Sequence, residues 1–155
     1  MRLERLSIKG FRNIKEAEIF PHSGVNIIYG DNAQGKTNLV EAIYLLTGQK
    51  SFRQAKESEL VLFGEEKAEL AADFFAEGRS QQATLTMGGK RSATLNELSC
   101  PPSELTGRFF AVVFSPTELG LIKDGPSVRR AFLDNAISQV MPRYIKTLIS
   151  MNRAL

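Results

Sequence analysis

Gly30-Asp31-Asn32-Ala33-Gln34-Gly35-Lys36-Thr37 is a complete G-x-x-x-x-G-K-[ST] pattern, and each fixed position has a physical use. Glycines let the backbone curl until successive N–H groups point into one anion-sized hollow. A helix starting at the lysine adds the positive end of its dipole. Lys36 is placed to neutralise β- and γ-phosphate oxygens, and the Thr37 hydroxyl to ligate Mg²⁺. Such a pattern arises by chance in roughly 0.5 % of chains of this length, so its surroundings decide the reading.

Those surroundings are strand-like before and helical after. Val25-Asn26-Ile27-Ile28-Tyr29 is a short β-branched run between glycines and predicts a buried central strand. Thr37–Leu46 carries Leu39, Val40, Ile43 and Leu46 at helical spacing, with Gly48 as a stop. The pattern therefore predicts nucleotide binding over residues 30–37. It does not read the base, so a choice of ATP over GTP must come from elsewhere.

Further out, Leu3–Lys9 and Ile14–Phe20 read as two strands closed by the turn Pro21-His22-Ser23-Gly24. Residues 57–63 read as a short amphipathic helix, and 68–95 as an antiparallel meander. Its strands are Leu70–Phe75, Ala83–Met87 and Lys90–Leu95, and Gly88-Gly89 suits a tight hairpin. Residues 100–107 read as a loop, and Phe109–Phe114 as a second buried strand. Pro126 and Pro142 each suit the first turn of a helix, the former carrying Val128, Phe132, Leu133 and Ile137 inward. Phe52, Phe74, Phe75, Phe109, Phe110, Phe114 and Phe132 are expected in the core. The fold class is α/β: a nucleotide-binding lobe over 1–125, including the meander, and the beginning of a helical arm over 126–155. The last helix runs to Leu155 without a cap, so that end reads as a cut.

Composition narrows the class. The 155 residues are 43 % hydrophobic and 24 % charged, as in a globular domain. No apolar run suits a membrane span, and Met1–Arg5 lacks the apolar stretch of a secretory signal. The single Cys100 excludes an internal disulfide. A cytoplasmic protein is expected. The net charge of +3 is unevenly spread, with basic segments at both ends and an acidic middle over 57–77, so the ends could face a polyanion.

Equally telling is what is missing. Hydrolysis by this architecture needs a second acid at the end of an apolar strand. The strand 109–114 ends in Ser115, Asp134 falls on a helix, and Asp73 lies in the meander pointing outward. His22 stands alone in a turn, so no nucleophile–histidine–acid triad forms. The alternative of a stand-alone small nucleotide or metabolite kinase needs a substrate lid and acids after a second parallel strand; the meander and the arginine-rich tail fit that poorly.

Phe11-Arg12-Asn13 after the first strand, followed by a phosphate loop ending Gly35-Lys36-Thr37-Asn38, resembles the SMC/RecF branch of ABC-type ATPases. Lys50-Ser51-Phe52-Arg53, Phe114-Ser115-Pro116 and Pro126-Ser127-Val128-Arg129-Arg130-Ala131-Phe132-Leu133-Asp134 narrow the resemblance to the RecF family of bacterial DNA replication and recombinational repair proteins. Pro142-Arg143-Tyr144 and Asn152-Arg153-Ala154-Leu155 complete the set. The resemblance covers essentially the whole chain. It implies an ABC-type ATPase head lobe, the rest of the helical arm, the signature motif and the second acidic motif lying beyond Leu155. It also implies ATP and Mg²⁺ as cofactors, ATP-dependent dimerisation, weak DNA-dependent ATPase activity of the intact protein, and a part in DNA damage and the SOS response. Gapped or junction DNA, RecR and RecO are the implied partners. By the same resemblance Arg12 and Asn13 lie near the nucleotide with Asn38. Lys50 and Arg53 either contact DNA or brace the sheet. Arg129 and Arg130, about 100° apart on a helix, are candidates for DNA phosphate.

Overall fold

A computed structural model describes residues 1–114 and 125–154. Six strands form one antiparallel sheet in the order β2-β1-β3-β4-β5-β6. They are β1 Arg2–Phe11, β2 Ile14–Ile19, β3 Ala68–Ala76, β4 Arg79–Met87, β5 Ser92–Leu95 and β6 Leu98–Cys100. The helices are α1 Lys36–Leu45, α2 Glu57–Leu60, α3 Pro126–Val140 and α4 Pro142–Ala154, with a single 3-10 turn at Pro102–Glu104.

Period-two alternation puts the sheet's apolar residues on one face. Along β3, Ala68, Leu70, Ala72, Phe74 and Ala76 are buried, and Ala83, Leu85 and Met87 of β4 lie beside them. Leu6 and Ile8 of β1 continue that surface, which packs with Ala42, Leu45 and Leu46 of the first helix region and with Leu60, Leu105 and Phe109. Phe74 and Phe109 meet edge to face at 5.2 Å between ring centroids, so the residue after the 3-10 region is locked to the centre of the sheet. The meander is present as expected. Its first turn, Glu77-Gly78, has positive φ at both residues, the requirement of a two-residue hairpin joining twisted strands.

Two predicted strands are not formed. Residues 25–29 form no strand with any described residue, and Val25, Ile27 and Tyr29 are 86 %, 80 % and 89 % exposed. In 109–114 only Phe109 makes a bridge, to Thr106, while Val112 and Phe114 are each 96 % exposed. An apolar β-branched run has the propensity for a strand, but burial belongs to the neighbours that cover it, and among the described residues none pairs with these segments. For the same reason the aromatic residues divide. Phe74 and Phe109 are core, Phe52 is half-buried against Tyr44, and Phe75, Phe110, Phe114 and Phe132 are exposed. The helix expected over 57–63 stops at Leu60, because Val61 pairs with Phe11 instead. Leu98–Cys100 adds a sixth strand, so Cys100, expected in a loop, ends a strand instead.

Helices α3 and α4 start at their prolines as expected. Phe132 and Leu133, expected inward, are 45 % and 53 % exposed. The two helices are tied by Tyr144, whose hydroxyl donates to Asp134 Oδ1 at 2.6 Å. Asp134 is thus on a helix, as read, and Asp73 lies in the meander. Ser115–Glu118 and Leu155 lie outside the described residues.

Candidate nucleotide site

The glycine-rich loop ends at Gly35, the residue that caps α1, with a left-handed φ of +99°. Gly30 and Ala33 also have positive φ, +144° and +66°. These three turns wrap the loop in front of the helix start, where Gly35 O accepts the first helical bond from Leu39 N at 2.9 Å. The first turn of α1 holds no acidic residue, so nothing there competes with an anion for the helix end. Thr37 is exposed beside it. The Lys36 ammonium curls back into the loop and donates to Gly30 O at 2.7 Å and to Asp31 O. It is therefore over the loop and not turned into the interior.

Asn13, in the β1–β2 turn, braces the loop from outside. Its Nδ2 donates to Ala33 O at 3.0 Å, while its Oδ1 accepts from Asn38 Nδ2 at 2.8 Å. Asn38 Oδ1 in turn accepts from Arg53 Nη1 at 2.8 Å. Asn13 and Asn38, expected near the nucleotide, thus meet beside residues 30–38, and Arg53, expected to contact DNA or brace the sheet, joins them.

At the centre of that group lies Glu41, which sequence reasoning missed. Its carboxylate is fully buried. Arg12 grips it through Nε to Oε2 at 3.0 Å and Nη2 to Oε1 at 2.8 Å, a two-point fork. The Ser51 hydroxyl donates to Oε1, and Arg53 Nη1 stands 3.5 Å from Oε2. Burial opposes ionisation of Glu41, but the hydrogen bonds from Arg12 and Ser51 and the charges of Arg12 and Arg53 outweigh it, so its carboxyl lies below the ordinary value. The available signal was an acid one residue before Ala42, inside the apolar run Leu39–Leu46; a buried carboxylate demands cationic partners.

The two arginines are spent differently. Arg12 is also held by Nη1 to Glu59 O at 3.0 Å and is only 15 % exposed, so it is an anchor between β1, α1 and α2. Arg53 is 42 % exposed, with only Nη1 engaged in the described bonds to Asn38 and Glu41. Lys50 is exposed at the end of the turn after α1, and Arg129 and Arg130 are exposed on α3, an element separate from the loop. Among the described residues no group of His, Cys, Asp and Glu has the arrangement of a metal site. A helix start without acids, with the Lys36 ammonium over the loop in front of it, suits an anion.

Residues 2–97 match the family described as RecF/RecN/SMC N terminal domain. The chain is 39 % identical over 157 aligned residues to the DNA replication and repair protein RecF of Clostridioides difficile, covering all of this chain and 42 % of that protein. It is equally 39 % identical to the RecF of Desulforudis audaxviator, with 43 % of that protein covered. The chain thus spans less than half the length of these curated relatives. A solved structure titled as the recombination mediator protein RecF-ATP in the RecFOR pathway superposes with a TM-score of 0.95 at 37 % identity, over 99 % of this chain and 42 % of that one. An SMC head bound to the C-winged helix domain of ScpA superposes at 0.68 with 24 % identity, a likeness of fold alone. The expected ABC-type ATPase head lobe, a phosphate loop and helix joined to an antiparallel sheet, is therefore the fold of this chain. On a family match covering most of the sheet and the whole phosphate loop, the chain belongs to the RecF/RecN/SMC N-terminal domain family.

Proposed function

We propose that this chain is the nucleotide-binding part of an ATP-dependent DNA replication and recombinational repair protein. The observation that carries the reading is the loop of residues 30–37, with Lys36 held over it and no acid in the helix turn behind it. Lys36 and the loop amides would hold the phosphates of ATP, and Thr37 would hold the Mg²⁺ that ATP brings. That metal would neutralise phosphate charge. Gly30, Asp31, Asn32, Ala33, Gln34 and Gly35 form the cradle, while Asn13 and Asn38 keep its outer wall in place. Arg12 serves the site as an anchor, with Nε and Nη2 forked onto Glu41 and Nη1 donating to Glu59 O. Arg53, tied through Asn38 and Asn13 to the loop, belongs to the nucleotide site and not to a remote DNA surface.

The names of the relatives, DNA replication and repair proteins and a member of the RecFOR pathway, support the setting. Within it the family resemblance adds DNA, RecR and RecO as partners, an ATP-dependent homodimer and a place in the cytoplasm as part of the proposal. Residues 1–125 would be the lobe and 126–155 the start of the arm. Lys50, Arg129 and Arg130 remain the candidates for DNA phosphate, where they would give salt-sensitive, sequence-independent binding. Among the described residues no helix is long and apolar enough to cross a membrane. The kinase alternative is not favoured, since the sheet is antiparallel throughout and the relatives are repair proteins.

Titration calorimetry of Lys36→Ala with Mg-ATP tests the reading. Losing a charge-assisted phosphate contact costs about 1.5–3 kcal/mol, or roughly 10- to 150-fold in affinity. An unchanged affinity in a folded variant would remove the loop from the function.

A further inference from the structure

We propose that Glu41 is a positioning residue of the nucleotide site: it fixes Arg12 as an anchor and holds Arg53 at the edge of the phosphate loop. The inference rests on the nucleotide reading above and assigns a role to a residue that touches no ligand. Among the described residues Glu41 is the group that meets both arginines. Its Oε1 takes Arg12 Nη2 and the Ser51 hydroxyl, and its Oε2 takes Arg12 Nε and faces Arg53 Nη1. Ser51 Oγ also accepts the backbone N–H of Arg53 at 3.0 Å, so the same carboxylate sets both the main chain and the side chain of that residue.

The geometry also divides the two cations. A carboxylate has room for a forked arginine and for a second donor at the side. Arg12 takes the fork, and its Nη1 donates away from it to Glu59 O. Arg53 takes the side position through one nitrogen, which it shares with Asn38 Oδ1. Among the described bonds none uses its Nε or Nη2, and the side chain is 42 % exposed. Without the carboxylate, two like charges would face each other across α1 with no ion between them. They would part, and Arg53 is the one free to leave.

The test is a double-mutant cycle on the full chain with Glu41→Gln and Arg53→Ala, read by calorimetry with Mg-ATP. Glu41→Gln alone is expected to weaken binding about tenfold, equivalent to about 1.4 kcal/mol. In the Arg53→Ala background it should add little, since the residue it positions is gone. Glu41→Asp, which keeps the charge, should restore part of the loss. Additive effects, or no effect of Glu41→Gln in a folded chain, would overturn the inference.

A second measurement needs no nucleotide. Amide exchange in Glu41→Gln should quicken at Arg12, whose N–H bonds Leu60 O at 2.9 Å, and at Arg53, while amides of β3 and β4 keep their protection. Unchanged protection at Arg12 and Arg53 overturns the positioning role even if the wild-type chain binds no ATP, which would sink only the nucleotide reading. Should Glu41→Gln unfold, Glu41→Asp carries both measurements, with smaller changes expected in the same places.

Discussion

Replacing Gly35 by alanine strains the loop in two separable ways. The backbone there has φ +99°, a conformation that L side chains rarely adopt, so the new methyl costs about 1–3 kcal/mol wherever it points. The added Cβ would also stand 2.9 Å from Asn13 Oδ1, closer than real Cβ contacts come. Asn13 must then move, and it holds both Ala33 O at 3.0 Å and Asn38 at 2.8 Å. These bonds are exposed and worth about 0.5 kcal/mol each. The sum is a destabilisation of about 2–4 kcal/mol, measured by urea unfolding, with weaker Mg-ATP binding alongside. Gly30→Ala is the control, since its Cβ would meet only the flexible end of Gln34 at 3.4 Å and should carry strain alone. In an Asn13→Ala background the collision is absent, so Gly35→Ala should cost about 0.5–1 kcal/mol less than in the wild type. A Gly35→Ala chain within about 0.5 kcal/mol of wild type, or one whose cost is the same in both backgrounds, would refute the reasoning.

Acid should remove part of the stability. Glu41 and Asp73 both lie below their ordinary values of 4.5 and 3.8, Asp73 chiefly through the hydrogen bond from Arg5. The unfolded chain therefore binds more protons in the window below those values. Their stabilisation is complete above about pH 5 and is lost as pH falls through the folded values. Unfolding curves between pH 3 and 6 should show stability rising with pH, and Glu41→Gln should flatten that rise; an equal slope in wild type and variant would contradict it. Phe109→Ala removes a fully packed ring, so melting should report a loss of about 3–5 kcal/mol, against less than about 0.5 kcal/mol for the half-exposed Phe110→Ala.

Features that depend on one residue's covalent nature were legible in the sequence. Gly35 is needed because the backbone turns left-handed there, Pro126 and Pro142 start helices because they lack an N–H, and Glu77-Gly78 closes a hairpin. Features that depend on who stands opposite were not. Val25–Tyr29 and Phe110–Phe114 were read as buried from their apolarity alone, yet their exposure is set by absent pairing among the described residues. Glu41 was passed over because its partners lie 29 and 12 residues away, in a strand turn and a loop that only the fold brings to α1. Arg12 was expected near the nucleotide, but its fork on Glu41 is a contact that no spacing rule reveals.

The same contrast says where the nucleotide loop gets its shape. Among the described residues, no strand pairs with the segment that enters it, 25–29, and none pins the loop from that side. It is pinned from the other, by the first turn of α1 and by a chain of side-chain bonds running from Ala33 O through Asn13, Asn38 and Arg53 to Glu41. That chain ends in a buried ion pair, whose breakage leaves an unpaired charge and is therefore costly, while its outer links are exposed amides worth far less. The rigidity of the cradle is thus graded, firm at Glu41 and soft at Ala33. A ligand that replaces the Lys36 bonds to Gly30 O and Asp31 O then rearranges the soft end first, while Arg12 keeps the strand turn fixed against α1.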